Sequence, residues 1–238
     1  MAPPPTADAG RPGARLLVGI LAFGLSIGSA GPVGAHVETV PPFEGPPGGP
    51  KVAAVGDSLL GQLESEGPTH PTSTRAFTRS LIDEGWRASV KHRNAWRTAR
   101  VRVLARQAVD RGAVVVIVSA GSGDVRWVRE SADPSHARWL VRRAVGLLLD
   151  DLEPQCVVWP TVPVVGGAGE RRTAQVVNQV LRAADEGSSR VRSPDWAAVA
   201  RSHPGRFIAD GVHLSRAGEA AFQRTLLHAA RRCVTGLP

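Results

Sequence analysis

Two short stretches carry the residue types that nucleophilic catalysis needs. Gly56-Asp57-Ser58-Leu59 sets a serine directly after an apolar run, Val52-Ala53-Ala54-Val55, and Asp210-Gly211-Val212-His213 sets a carboxylate three residues before an imidazole. A serine on a tight strand-to-helix turn exposes its hydroxyl, and its own N–H lies at a helix start, where partial positive charge favours an oxyanion. Gly56 permits the turn. The competing reading of this stretch is that Asp57 or Ser58 only caps the following helix. On a turn, the spacing of Asp210 and His213 can point both side chains one way. The carboxylate then holds one ring nitrogen while the other faces a nucleophile. His213 is therefore the best base candidate among seven histidines. His36, His70, His92, His136, His203 and His228 have no comparable carboxylate arrangement, and solvated or structural roles are expected for them.

These residues must be brought together by the elements around them. Val52 to Val55, Ala113 to Val118 and Cys156 to Trp159 read as strands, the second without a polar interruption, as a strand covered on both faces requires. Ala88 to Val90 is a weaker strand, and a short one is placed near Val191. Helical patterns run over Thr74 to Asp83, Thr98 to Asp110, His136 to Leu152, Glu170 to Ala184 and Ala217 to Arg232. Strands separated by helices of this length predict a parallel sheet with helices on both faces. In such a sheet chemistry is expected where the strands deliver their carboxyl ends, which is where Ser58 falls.

At 238 residues, with 42% hydrophobic and 21% charged, the chain can bury a full core, and one globular domain plus a tail accounts for it. Arg11 and Arg15 precede an uncharged run from Leu16 to Val37 that ends in small residues, the order of a secretory signal. Cleavage is placed before His36, after Val33-Gly34-Ala35, or after Gly28-Ser29-Ala30. An uncleaved membrane anchor is the other reading of 1–35. Both put the domain, 51–238, outside the cytoplasm. Residues 36–50, with five prolines and three glycines, predict a semi-extended tether.

The net charge is +8, and only Lys51 and Lys91 are lysines, so the positive charge is almost all guanidinium. Lys91, Arg93, Arg97, Arg100, Arg102, Arg106 and Arg111 face a single acid, Asp110, in the segment after the weaker second strand. An anionic polymer gripped through Arg97, Arg100 and Arg106 is one reading, and an Arg-rich solvated helix face is the plainer one. Aromatics at 5% and the absence of tyrosine leave few stacking platforms for nucleic acid, and no nucleic-acid partner is expected. There is no HExxH, no GxxxxGK[ST] and no GxGxxG after a strand, and two cysteines exclude a four-thiolate zinc site. No metal site and no cofactor is read from the chain. Export permits Cys156 and Cys233 to pair, provided their Cα atoms lie within about 7 Å.

Taken together, Gly56-Asp57-Ser58-Leu59 early and Asp210-xx-His213 late resemble the first and last blocks of the GDSL, or SGNH, hydrolase family. The stretch from Pro194-Asp195-Trp196 through His203-Pro204 to His213-Leu214, with Gly218 and Asn178, is similar to the SGNH domains attached to acyltransferases of cell-wall polysaccharide. The resemblance covers most of Lys51 to Arg232. It implies a flavodoxin-like three-layer α/β/α sandwich with a mostly parallel five-stranded sheet. Ser58 would be the nucleophile, His213 the general base and Asp210 its orienting partner. The substrate implied is a small acyl ester or an O-acyl, in particular O-acetyl, group on a cell-envelope glycan.

Two family positions differ. The third block, usually Gly-x-Asn-Asp, aligns with Gly121-Ser122-Gly123-Asp124, so Gly123 stands where an amide would donate to the oxyanion. Losing one such donor typically costs on the order of 10²–10³ in turnover. Ser122 Oγ or the Gly123 N–H are the expected substitutes, while an Asp124 carboxylate would repel the developing charge. The second block normally supplies a glycine N–H, but Asn94-Ala95-Trp96-Arg97 occupies its place. Gly121, Ser122, Gly123, Asn94 and Arg97 are thus the candidate oxyanion and substrate-binding residues. These departures keep open a second reading, a catalytically degenerate module that binds anionic cell-wall polymer. Trp96 and Trp127 line the cleft or simply pack, and Trp139, Trp159 and Trp196 are assigned to packing. Pro163 to Gly169 is a lip over the site or only a connection, with Arg171 and Arg172 beyond it within reach of substrate.

Overall fold

The computed structural model describes residues 38–66, 75–153, 155–163 and 166–236. The signal or anchor reading of 1–35 falls outside the described residues, as do Thr74 and residues 164–165 of the expected lip. Among the described residues no helix is long and apolar enough to cross a membrane.

Five strands form one sheet: β1 (Lys51–Gly56), β2 (Arg87–His92), β3 (Val115–Ser119), β4 (Cys156–Val158) and β5 (Val191–Arg192). Every neighbouring pair is parallel and the order is β2-β1-β3-β4-β5. This is the flavodoxin-like order, in which the connections leaving β1 and β3 diverge to opposite faces and open a crevice at the carboxyl ends of those strands. Among the described residues the eight α-helices are α1 (Ser58–Glu66), α2 (Ala76–Asp83), α3 (Thr98–Asp110), α4 (Ser122–Glu130), α5 (Pro134–Asp151), α6 (Ala168–Gly187), α7 (Trp196–Ser202) and α8 (Arg216–Thr235).

Strand residues alternate between two cores. Val52, Ala54, Val115, Ile117 and Val158 pack with Leu60 and Leu63 of α1, Phe77 and Leu81 of α2, Trp196 of α7 and Phe222 and Leu226 of α8. Ala53, Val55, Val116, Val118 and Val157 pack with Leu104 of α3, Val128 of α4, Val141 and Leu148 of α5 and Val177 and Leu181 of α6. Period-2 side chains covered on both faces are what makes β1 and β3 continuous apolar runs. The expected three-layer sandwich is therefore present, with its sheet wholly parallel. Helix α4 has no counterpart in the sequence reading, because only Val125, Trp127 and Val128 of its nine residues are large and apolar.

Two features tie the ends of the domain down. Cys156, at the start of β4, and Cys233, near the end of α8, form a disulfide with a Cα separation of 5.7 Å. Closing a loop of 77 positions stabilises by roughly 4 kcal/mol in the chain-entropy account. Residues 38–50 hold no helix and bend at 45–49, and they are not a free tether. Val40 is buried, Glu44 and Ala88 exchange both backbone hydrogen bonds, at 2.9 and 2.7 Å, and Ser89 Oγ donates to the Pro41 carbonyl. The segment covers the edge of β2, where unpaired N–H and C=O groups would otherwise meet solvent.

Candidate active site

Ser58 is the first residue of α1, directly beyond β1. The turn is tight because β3 crowds it: a Cβ on Gly56 would lie 2.5 Å from the Ser119 carbonyl oxygen, so only glycine fits. Asp57 does the capping. Its Oδ1 accepts the Leu59 N–H at 3.1 Å, which leaves the Ser58 side chain free to turn outward. The capping reading of the stretch is thus realised on Asp57, next to the serine. Asp57 itself is 1% exposed, and burial pushes its carboxyl up to about 6 despite hydrogen bonds from Ser122, the Leu59 N–H and Ser119.

The second stretch folds back onto this hydroxyl. Ser58 Oγ lies 3.0 Å from His213 Nε2, and His213 Nδ1 lies 2.6 Å from Asp210 Oδ2. The other Asp210 oxygen, Oδ1, accepts the N–H groups of Val212 and His213, both at 2.9 Å. Burial works to raise the Asp210 carboxyl, but the hydrogen bonds from the His213 ring and these two N–H groups outweigh it and hold the group below its ordinary value. A carboxylate fixed at one oxygen by backbone and at the other by Nδ1–H sets the tautomer that presents Nε2 as an acceptor to Ser58. The turn needs Gly211 at φ +69°, in the left-handed region. Gly218 lets α8 approach closely, since a Cβ there would fall 1.8 Å from the Arg206 carbonyl oxygen.

Ser58 and His213 open onto a cleft of about 390 Å³ whose other walls are Gly61, Gln62, Ser65, His92, Asn94 and Glu219. His92, one of the six histidines for which a solvated or structural role is expected, stands on the wall of this cleft. Its Nδ1 is buried without a hydrogen-bond partner, lying 2.9 Å from where a Cβ on Gly61 would stand. Burial, with Lys91 adding repulsion, lowers its affinity for a proton. The ring is therefore biased to the neutral form, and a proton on Nε2 leaves the enclosed Nδ1 bare. Only its position at the end of β2, beside β1, marked His92 in the sequence.

No family model matches the sequence, and no curated protein does. Solved structures do match. The lipase Lip_vut3 from a goat rumen metagenome superimposes with a TM-score of 0.58 at 14% identity, over 76% of this chain and 97% of that one. The chain has the fold of the SGNH hydrolases. The C-terminal catalytic domain of Streptococcus pneumoniae peptidoglycan O-acetyltransferase A shares it at a TM-score of 0.55 and 14% identity, over 79% and 96% of the two chains. An acetylxylan esterase from Geobacillus stearothermophilus does so at 0.54 and 20%, over 76% and 94%.

Against the SGNH pattern, the third block departs in a way that geometry explains. A Cβ on Gly123 would lie 2.5 Å from the Trp96 carbonyl oxygen, so the β2–α3 connection occupies the space a larger side chain would need. Ser122 does not substitute as expected, because its hydroxyl donates to Asp57 Oδ2. Asp124 is 2% exposed and accepts the Thr98 N–H at 2.8 Å and the Thr98 hydroxyl at 2.6 Å, holding the start of α3. Gly121, at φ +119°, leads into α4 and packs against Val162. Gly121, Ser122 and Gly123 are not among the residues lining the cleft, whereas Asn94 is.

The segment in the place of the second SGNH block, Asn94-Ala95-Trp96-Arg97, holds no glycine. Ala95 has φ +59°, the single positive φ outside glycine among the described residues. Arg97 is not on the cleft. Its guanidinium stacks 4.5 Å from the centroid of the Trp127 ring, against a separate apolar pocket between α3, α4 and α5. Trp96 is buried in the core, so neither tryptophan lines the Ser58 cleft. Trp159 and Trp196 are buried as expected, but Trp139 is half exposed, stacked on His136 with centroids 5.7 Å apart. The basic segment is largely engaged within the chain: Arg93 pairs with Glu38, Arg102 with Asp151 at 2.6 Å, and Arg106 reaches the same carboxylate at 3.8 Å. Arg100 is exposed. Arg171 donates to the Gly166 carbonyl at 2.6 Å and Arg172 is exposed, and neither lines the cleft.

Proposed function

We propose that the chain is a serine esterase or acyl-transfer enzyme of SGNH type, acting outside the cytoplasm on an O-acyl, in particular O-acetyl, group of a cell-envelope carbohydrate. The observation that carries the proposal is the unbroken hydrogen-bonded series Asp210, His213, Ser58, open to a cleft. His213 Nε2 takes the Ser58 proton as Oγ bonds to the ester carbonyl carbon, whose π electrons move to oxygen. The oxyanion meets the Ser58 N–H at the start of α1, with Asn94 and the neutral His92 on the cleft wall as side-chain donors. Collapse breaks the ester C–O bond, and His213 returns the proton to the leaving alkoxide. Water or a sugar hydroxyl then attacks the acyl-serine, giving its proton to His213, and Ser58 is restored.

The carbohydrate reading is supported by the likeness to an acetylxylan esterase and to a peptidoglycan O-acetyltransferase domain, and the extracytoplasmic reading by the 1–35 segment and the disulfide. Gly123 favours a second reading, a module that binds wall polymer without turning it over. One experiment separates the two: acetate release from acetylxylan and from O-acetylated wall polymer by wild type and Ser58→Ala. Turnover reduced at least about 10³-fold in the variant supports the enzyme. Equal release by both proteins, or by neither, overturns it.

A further inference from the structure

A groove of about 890 Å³ runs along the far side of α8, remote from Ser58 in its lining residues. It exists because β5 is the two-residue edge of the sheet, so that α8 on one side and the α6–β5 connection on the other leave a trough between them. Arg224, His228 and Arg232 recur every four residues on α8 and so share one face of the helix, the face that lines the trough. Arg192, at the end of β5, and Ser193, directly after it, also line the trough, as does Arg206 from the segment that leads into the Asp210–His213 turn.

Guanidinium groups gathered along one trough repel one another unless an anion lies between them. The groove supplies only two acids, Asp185 and Glu186 at the end of α6, and no ion pair joins either to its arginines among the described residues. Two polar atoms within the lining are also left over. Arg192 Nε and Ser193 Oγ are buried with no hydrogen-bond partner, and Ser193 is 8% exposed. A buried donor without a partner costs about 1–3 kcal/mol, which a bound oxyanion would offset. Guanidinium forks and hydroxyls are what a carboxylate or phosphate on a sugar chain engages. Among the described residues no Phe, Tyr or Trp lines the groove, which leaves bases only the His228 ring to stack on, and its apolar lining is confined to small residues.

We infer that this trough is an anion-binding site for an extended glycan bearing carboxylate or phosphate groups, held by Arg192, Arg206, Arg224 and Arg232. It goes beyond the esterase reading and does not depend on it. Its place differs from the one expected on α3, whose arginines are largely paired within the chain. At about 890 Å³ it exceeds what a single oxyanion fills and lies in the range of sites that enclose an oligomer of a few sugars.

The test is binding of fluorescently labelled polygalacturonate and of poly(glycerol phosphate) to the full chain, with neutral dextran and single-stranded DNA as comparators. Arg224→Glu/Arg232→Glu is compared with Arg100→Glu/Arg106→Glu, which makes the same charge change on α3. Wild type and Ser58→Ala are expected to bind at least one of the two anionic glycans more tightly than dextran or DNA, with affinity falling as salt is raised. The α8 variant should bind roughly 10- to 100-fold more weakly and the α3 variant as wild type. Which polymer binds distinguishes a carboxylate from a phosphate ligand. Binding of neither polymer, equal weakening by both double variants, or DNA or dextran binding as tightly overturns the inference. Circular dichroism of each variant separates loss of binding from loss of fold.

Discussion

Gln62 holds Leu214 by both ends of its amide: Oε1 accepts the Leu214 N–H at 3.0 Å and Nε2 donates to the Leu214 carbonyl at 3.3 Å. Gln62 lies one helical turn after Ser58, and Leu214 directly follows His213. The nucleophile's helix and the base's loop, distant in sequence, are thereby pinned together at the backbone next to the imidazole. The clamp helps to fix the Ser58–His213 distance, because Asp210 and His213 are themselves only partly buried.

Releasing the clamp should cost orientation rather than substrate affinity. Gln62→Ala is expected to fold and to lower kcat by about 10-fold or more while KM changes little, since misplacement on the scale of an ångström is felt in the chemical step. Gln62→Glu keeps the acceptor for the Leu214 N–H but sets a carboxylate against the carbonyl, so it should not restore turnover. Kinetics on 4-nitrophenyl acetate read the outcome, and an unchanged kcat in Gln62→Ala contradicts it.

Restoring the missing family amide should fail. Because a Cβ at position 123 meets the Trp96 carbonyl at 2.5 Å, Gly123→Asn must push the β2–α3 connection away. The variant is expected to lose about 1–3 kcal/mol of stability and to gain no turnover. Thermal unfolding with parallel kinetics checks both halves, and a faster enzyme of wild-type stability would show that the space is free after all.

Ala95 sits where glycine would be at ease. A non-glycine residue at φ +59° costs about 1–2 kcal/mol, partly offset by the greater freedom of glycine in the unfolded chain. Ala95→Gly should therefore stabilise the domain by up to about 1 kcal/mol. Urea unfolding with an unchanged slope and a higher midpoint is the expected result; a lower midpoint contradicts it.

The stretches that could be read from sequence are those whose pattern is set by local physics. β1 and β3 are apolar runs because both faces are covered, and Ser58 and His213 are legible because a turn next to a strand end or a helix start constrains what stands there. What escaped depends on contacts between distant segments. Nothing near Gly123 announces the Trp96 carbonyl, nothing in Ser122 reveals that its hydroxyl is spent on Asp57, and the pairing of Arg102 with Asp151 joins two helices 49 positions apart. Val40 looked like part of a proline-rich tether, and only the open edge of β2 explains why it is buried. Arg97 followed a family position but turned to Trp127, a stacking partner on another helix.

Asp57 should leave a mark on the pH dependence of stability. Its ordinary value is 3.8 and burial raises it to about 6, so between these the folded chain binds more protons than the unfolded one and stability falls as pH rises. Asp57→Asn removes this contribution. The stability of the variant relative to wild type should climb between pH 4 and 7 by about 3 kcal/mol and then level off. Taking the difference cancels the opposing titration of His92. Urea titrations at several pH values measure it, and a pH-independent difference contradicts it.

Ser58 Oγ, activated by His213, is expected to form a covalent bond with an acyl-type electrophile. A fluorophosphonate probe followed by peptide mass mapping reads this bond. The expected result is a single adduct on Ser58 in the wild type, formed far more slowly in His213→Ala and absent from Ser58→Ala. An adduct on another residue, or equal labelling of wild type and Ser58→Ala, would contradict the assignment of the nucleophile and the chemistry built on it.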